Sequence, residues 1–307
     1  MANTKLDTLL SRMTDLEHQT VDKNFMGMLY GPPGVGKTTL AMGLAHQLAG
    51  KKGKILYLDS ADGWVSLENI PALMHNAVRI SFEEYGDLPT IAAALREPNA
   101  KRPELLKNVT VVVVDELSSI ANDVLDRVLR DRIGTKTDEI PDTVAEWSDY
   151  YPQKELIRKA VIQLHEVPNL HVILVAHAKE KIDHRKVKVT KPDFPDKLLG
   201  ELQKLMHVTA YCTAETAMRA GEVIYTRQVQ SQPSALVEAK SRIGGLPYKA
   251  DFKDFVSTVS GWVSGETMQA DMIADESVID LVADELPTDG IPVAEEADDE
   301  PIIVSAE

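Results

Sequence analysis

Between an apolar run at Phe25–Tyr30 and an amphipathic stretch at Thr38–Leu48, the chain carries Gly31-Pro-Pro-Gly-Val-Gly-Lys-Thr38. Glycine, four residues, glycine, lysine and a hydroxyl residue is the spacing of a phosphate-binding loop, which works only where a strand enters it and a helix leaves it. Both flanks supply that context. Gly31, Gly34 and Gly36 let the backbone turn its N–H groups inward around an anion. The helix that follows presents its positive end to the same anion. Pro32, Pro33 and Val35 complete the wrap. Lys37 is expected at the β- and γ-phosphates, the Thr38 hydroxyl on a magnesium ion, and Thr39 at the α-phosphate. The expected ligands are therefore ATP and Mg2+.

The rest of the chain reads as the fold such a loop requires. Lys54–Asp59 (KILYLD) and Val109–Asp115 (VTVVVVD) are predicted strands, the second apolar on both faces, as in the middle of a parallel sheet. Leu170–Ala176 (LHVILVA) is a fourth predicted strand. Helical spacing marks Ser118–Arg132, Lys154–Glu166 and Lys197–Met206. Strands alternating with helices imply an α/β fold, a mainly parallel sheet with helices on both faces. His207–Ala214, Glu222–Val229 and Ala235–Ala239 read as antiparallel additions. Leu6, Leu9, Leu10, Met13 and Leu16 mark an N-terminal amphipathic helix.

Charge divides the chain. The formal net charge is -15, yet residues 266–307 hold 14 acidic residues and no Lys or Arg, so everything before them carries about -1. The predicted organisation is an N-terminal helix at 1–23, a nucleotide-binding core at 24–263 and a disordered acidic tail at 264–307. The tail is a candidate docking segment for a protein partner, or a competitor for a basic groove. One cysteine, Cys212, excludes an internal disulfide and a cysteine-built zinc site. No basic-then-apolar leader and no long apolar run point to a membrane or to export, so the expected compartment is the cytoplasm.

A second cluster should complete the phosphate site. Asp115 ends a buried strand and is expected to hold the magnesium shell through water. Glu116 beside it is the favoured carboxylate to orient an attacking water, with Asp62, just past the strand ending at Asp59, as its competitor. His177, at the end of the fourth strand, is expected to sense the γ-phosphate.

Together with Ala239-Lys-Ser-Arg-Ile-Gly-Gly-Leu-Pro247, the phosphate loop and the VVVVDE strand resemble the short RecA-like ATPases encoded by phages, which act with single-strand annealing and recombination systems. The resemblance spans roughly 24–262. It implies self-assembly with nucleotide at the subunit interface, where Lys240 and Arg242 act in trans on a neighbour's γ-phosphate. It also implies single-stranded DNA binding by loops after the central strands. Lys179–Lys191 lies at such a place, with six Lys or Arg against two acids. Trp147, Tyr150 and Tyr151 offer stacking surfaces in a second loop. RecA carries a glutamate two residues after the strand-end aspartate, where this chain has Ala61 followed by Asp62; this departure leaves open a nucleotide-gated DNA-binding or annealing module with little turnover. GPPGVGKT and the Asp-Glu pair also resemble AAA+ ATPases with protein targets, although strands rather than a helical lid are predicted after Met206. A small-molecule phosphotransferase is disfavoured, because Arg127, Arg130 and Arg132 sit beside acids on a predicted helix face.

Overall fold

The computed structural model describes residues 24–84, 86–134, 145–182, 186–219 and 222–265. The helix expected at Leu6–Leu16 and the acidic segment beyond residue 265 lie outside them. In chain order the elements are β1 (Met26–Gly31), α1 (Lys37–Ala49), β2 (Lys54–Asp59), β3 (Ala77–Ser81), α2 (Asp87–Arg96), β4 (Val109–Asp115), α3 (Leu117–Ile133), α4 (Tyr150–His165), β5 (His171–Ile182), β6 (Lys188–Pro192), α5 (Asp196–Leu205), β7 (Val208–Arg219), β8 (Glu222–Gln230), β9 (Lys240–Ser241), β10 (Lys249–Asp251) and α6 (Phe252–Ser264).

These strands make one mixed sheet in the order β10-β8-β7-β1-β5-β4-β2-β3, with β6 paired to β5 and β9 to β7. From β7 across to β3 every neighbouring pair is parallel. The antiparallel pairs are β7–β8, β8–β10, β5–β6 and β7–β9. The expected α/β architecture is thus present, with antiparallel additions beyond β7.

Strand alternation divides the core between the two faces. Met26, Met28 and Tyr30 of β1 and Val112 and Val114 of β4 face one way, packing with α2, α3, α4 and α5. Leu29, Val111 and Val113 face the other, packing with α1 and α6. Burial of each such side chain contributes roughly 1.5–3 kcal/mol before entropy is counted. The central strands are therefore held rigidly from both sides, and their C-terminal ends form a firm rim for β1's exit loop.

Several boundaries differ from the sequence expectation, each for a physical reason. β5 runs on past Ala176 to Ile182 and pairs antiparallel with β6, so Lys179–Ile182 and Lys188–Lys191 are strand and not loop. α4 begins at Tyr150, four residues before the expected start, because Pro152 sits in its first turn, where a missing N–H costs nothing. Ala235–Ala239 is not a strand; Val237 makes one isolated bridge to Thr190, and the short strand is Lys240–Ser241. β3, α2, β10 and α6 are additional elements.

Candidate functional site

The phosphate loop leaves β1 at Gly31 and enters α1 at Lys37. Gly36, at φ +91°, is the residue before the helix, and Leu40 N–H donates to its carbonyl at 3.0 Å. Gly31 has no room for a side chain, since a Cβ there would stand 2.4 Å from the Cys212 carbonyl oxygen of β7. The loop is thus clamped between its own sheet and the helix. Lys37 is buried, and its Nζ donates to the Gly31 and Pro32 carbonyls at 3.1 and 3.0 Å, inside the curve of the loop. Pro32, Pro33 and Gly34 are exposed on the outside of the turn, while Val35 is buried in the core under α1. Thr39 borders a groove between α1 and α6, lined also by Gly43, Leu73, Phe252 and Val256.

Asp115 stands where the sequence placed it, at the end of β4 and across from Asp59 of β2. Its Oδ2 accepts from Thr38 Oγ1 at 2.6 Å and from Tyr57 Oη at 2.8 Å. Burial raises the Asp115 pKa, opposed by those two hydroxyls and by Lys37. Gly63 crosses so closely that a Cβ on it would lie 2.8 Å from Asp115 Oδ2. A hydroxyl and a carboxylate converging here are hard oxygen donors, the chemistry that suits magnesium. Among the described residues no group of three or more His, Cys, Asp or Glu could hold a metal unaided. An ion at Thr38 and Asp115 would therefore need phosphate oxygens and water to complete its shell, which is the fit expected of Mg2+ arriving with a nucleotide.

Glu116 follows through a cis peptide bond. Its backbone N–H donates to Ser60 Oγ at 2.8 Å, and Ser60 Oγ donates back to the Glu116 carbonyl at 2.9 Å. One serine after β2 thereby fixes the backbone of Glu116. The side chain is buried, and desolvation raises its pKa to about 7, with Lys37 pulling down and Asp115 and Asp193 pushing up. Its Oε1 lies 2.8 Å from His177 Nε2. The pair is close but not aligned as a hydrogen bond, and Glu116 Oε1 and His177 Nδ1 are both buried atoms without a hydrogen-bond partner. His177 is the register partner of Gly31, so β5 delivers it directly beside the loop. The His177 backbone N–H donates to Ser118 Oγ at 3.0 Å, tying β5 to the start of α3. Burial and then Lys37 lower the His177 pKa, against Asp193 and Asp115, which raise it.

Lys37, Thr38, Asp115, Glu116 and His177 thus meet at one end of the sheet. Asp62 does not join them. It adopts a left-handed backbone, its side chain is 83 % exposed, and it faces Arg79 at 3.2 Å. Arg79 in turn bonds the buried Asp59 at 2.8 Å and stacks over Trp64. Lys240 and Arg242 stand at the opposite pole, since β9 pairs with the first residues of β7, beside the beginning of β1. Lys240 Nζ donates to the Gln203 carbonyl, and Arg242 Nη2 to that of Lys204 at 2.9 Å. Both cations cap the last turn of α5, a favourable place for positive charge. They do not approach this chain's own phosphate loop. Tyr57 and Ser60, which orient Asp115 and Glu116, were missed in the sequence. Their only signal was position in KILYLDS, two residues before and one after a strand-end aspartate.

A groove of about 810 Å³ opens beside the outer part of β5. Trp147, Tyr150, Tyr151, Lys154, Lys179, Lys181 and Lys197 line it, together with Asp193 and Asp196. Trp147 is 81 % exposed and Tyr151 67 %. Lys197 lies over the Trp147 ring at 5.7 Å and Lys154 over Tyr151 at 5.2 Å. The hairpin lysines are less free than their sequence implies: Lys179 pairs with Asp193, Lys181 and Lys191 with Asp196, and Lys188 with Glu180. Residues 183–185 of that stretch lie outside the described residues. No described helix is long and apolar enough to cross a membrane.

No curated protein sequence matches the chain significantly. A family model described as an AAA domain matches residues 23–243, from just before β1 to just past β9, and so spans every residue of the site. With its phosphate loop, its strand-end Asp-Glu pair and its parallel sheet, the chain belongs to this AAA-domain family of P-loop nucleotide-binding ATPases.

Proposed function

We propose that this chain hydrolyses ATP in the manner of the RecA-like ATPases, acts on single-stranded DNA, and assembles with itself. The observation that carries the DNA part is the groove in which exposed Trp147 and Tyr151 lie beneath lysines. Aromatic faces accept unstacked bases, and cations follow the phosphate backbone. Four lysines against two aspartates leave the groove's lining positive.

In this reading the loop amides, Lys37 and Thr38 bind the phosphate chain. Thr38 and Asp115 would hold magnesium, which when bound would supply charge neutralisation at the phosphates. Glu116 takes the proton of the attacking water. Its burial, its pKa near neutrality and an Oε1 that accepts no hydrogen bond support that role over Asp62, whose carboxylate is turned to Arg79 and solvent. His177 spans the gap between Glu116 and the groove, because the same strand continues from it to Lys179 and Lys181. A change at the γ-phosphate would be transmitted to the DNA-facing surface through one continuous piece of backbone. Self-assembly would bring a neighbour's Lys240 and Arg242 toward the phosphates, at the expense of their present bonds to α5.

The test is fluorescence anisotropy of a labelled oligo(dT), with and without a non-hydrolysable ATP analogue and Mg2+. The proposal expects tighter binding with the analogue, and loss of binding in Trp147→Ala/Tyr151→Ala. Binding indifferent to the nucleotide and to both substitutions would remove the DNA part and leave an ATPase with another target.

A further inference from the structure

The geometry points to Arg227 as a phosphate-binding residue of the same nucleotide site, delivered in cis by the β7–β8 hairpin; this rests on the proposal that the loop binds ATP. Strand alternation places it. Val229 of β8 is buried among the residues packed on α1. Arg227, two residues earlier, faces the same side of the sheet. Its cross-strand partner is Ala214, two residues beyond the Cys212 that abuts Gly31. Arg227 therefore leaves the sheet at the end where β1 gives way to the phosphate loop.

Its side chain lies on that loop. A Cβ built on Gly36 would stand 3.2 Å from Arg227 Nε and 3.3 Å from its Cδ and Cζ. Gly36 is the last residue before α1, where loop amides and helix dipole both favour an anion. Arg79, Arg96 and Arg132 each meet a carboxylate within 4 Å, whereas among the described residues Arg227 meets none and is exposed. An exposed planar cation set against the rim of an anion-binding loop has the chemistry to grip two phosphate oxygens at once. The ligand class is a nucleoside di- or triphosphate, because a monophosphate lacks the outer phosphates that a loop of this kind encloses. Lys37 reaches the phosphates from inside the curve, and Arg227 would close over them from the hairpin.

The experiment is calorimetric titration of Mg-ATP, Mg-ADP and AMP into the full chain and into Arg227→Ala, Arg227→Lys and Lys37→Ala. Loss of one charge-assisted, two-pronged contact predicts roughly 10- to 100-fold weaker ATP binding in Arg227→Ala. Arg227→Lys should fall in between, since it keeps the charge and loses the fork. Thermal melting without nucleotide should match the parent, and the ATP-induced rise in melting temperature should shrink. Should the alanine variant fail to fold, Arg227→Gln serves the same comparison. ATP binding within twofold of the parent in Arg227→Ala, while Lys37→Ala loses it, overturns the assignment and leaves the nucleotide reading intact. Failure of the parent itself to bind ATP overturns both, and is recognised because Lys37→Ala then changes nothing.

Discussion

Replacing Glu116 by glutamine should make the protein more stable and far less active, both in a pH-dependent way. Burial raises the Glu116 pKa from 4.5 to about 7. A carboxyl that holds its proton more tightly folded than unfolded costs stability as pH rises. The cost is absent below the unfolded pKa, grows between about 4.5 and 7, and is complete above the folded pKa. At ~1.4 kcal/mol per pKa unit, the full cost is about 3 kcal/mol, of which about 2–3 kcal/mol develops between pH 5 and pH 8. Glutamine has no such titration, and nothing in the Ser60 bonds to the Glu116 backbone changes. Urea unfolding at the two pH values measures it: the parent should lose about 2–3 kcal/mol more than Glu116→Gln on going from pH 5 to pH 8. Turnover follows the ionised fraction. A base with this pKa is about 10 % ionised at pH 6 and about 90 % at pH 8, so the parent rate should rise roughly ninefold. The variant should fall by about 10²- to 10⁴-fold and lose that pH dependence. Equal pH dependence of stability in both proteins, with a variant rate within a few-fold of the parent, would refute this account of Glu116.

Tyr57→Phe removes one of the two hydroxyls on a buried carboxylate, and should lower stability by about 1–2 kcal/mol in denaturant titration. It should also weaken the Mg2+ dependence of ATP binding, because Asp115 loses its anchor. Trp147→Ala and Tyr151→Ala should each weaken single-stranded DNA binding by roughly 5- to 100-fold in anisotropy, while leaving ATP affinity unchanged. Lys240→Ala and Arg242→Ala together should leave ATP binding unchanged but lower turnover only at concentrations where the chain self-associates, measured by sedimentation alongside the assay.

The sequence was most readable where burial and backbone geometry leave few choices. Val109–Asp115 is apolar on both faces because both faces are covered, and its bounds were visible to the residue. The phosphate loop announced itself through glycines at fixed spacing, and Asp115, Glu116 and His177 followed as strand ends. What escaped was set by partners distant in sequence. β3 is a half-exposed edge strand, so Ala77–Ser81 shows neither an apolar run nor a clear alternation. α2 and α4 each carry a proline in their first turn, Pro89 and Pro152, which reads as a breaker when only sequence is seen. The hairpin lysines looked like a free cationic loop because Asp193 and Asp196, which neutralise several of them, come later in the chain. Asp62 competes with Glu116 in the sequence because Arg79, the partner it faces, lies on the neighbouring strand, 17 residues later. Arg227 gave no signal, since its place over Gly36 depends on the register of β8 against β7.

The central claim is that one site couples ATP to single-stranded DNA. Steady-state ATP hydrolysis by the full chain, titrated with oligo(dT) beside Lys37→Ala, tests it most directly. The account predicts turnover that rises with DNA in the parent and is absent at every DNA concentration in Lys37→Ala. Turnover that ignores DNA, or that survives the loss of Lys37, would contradict it.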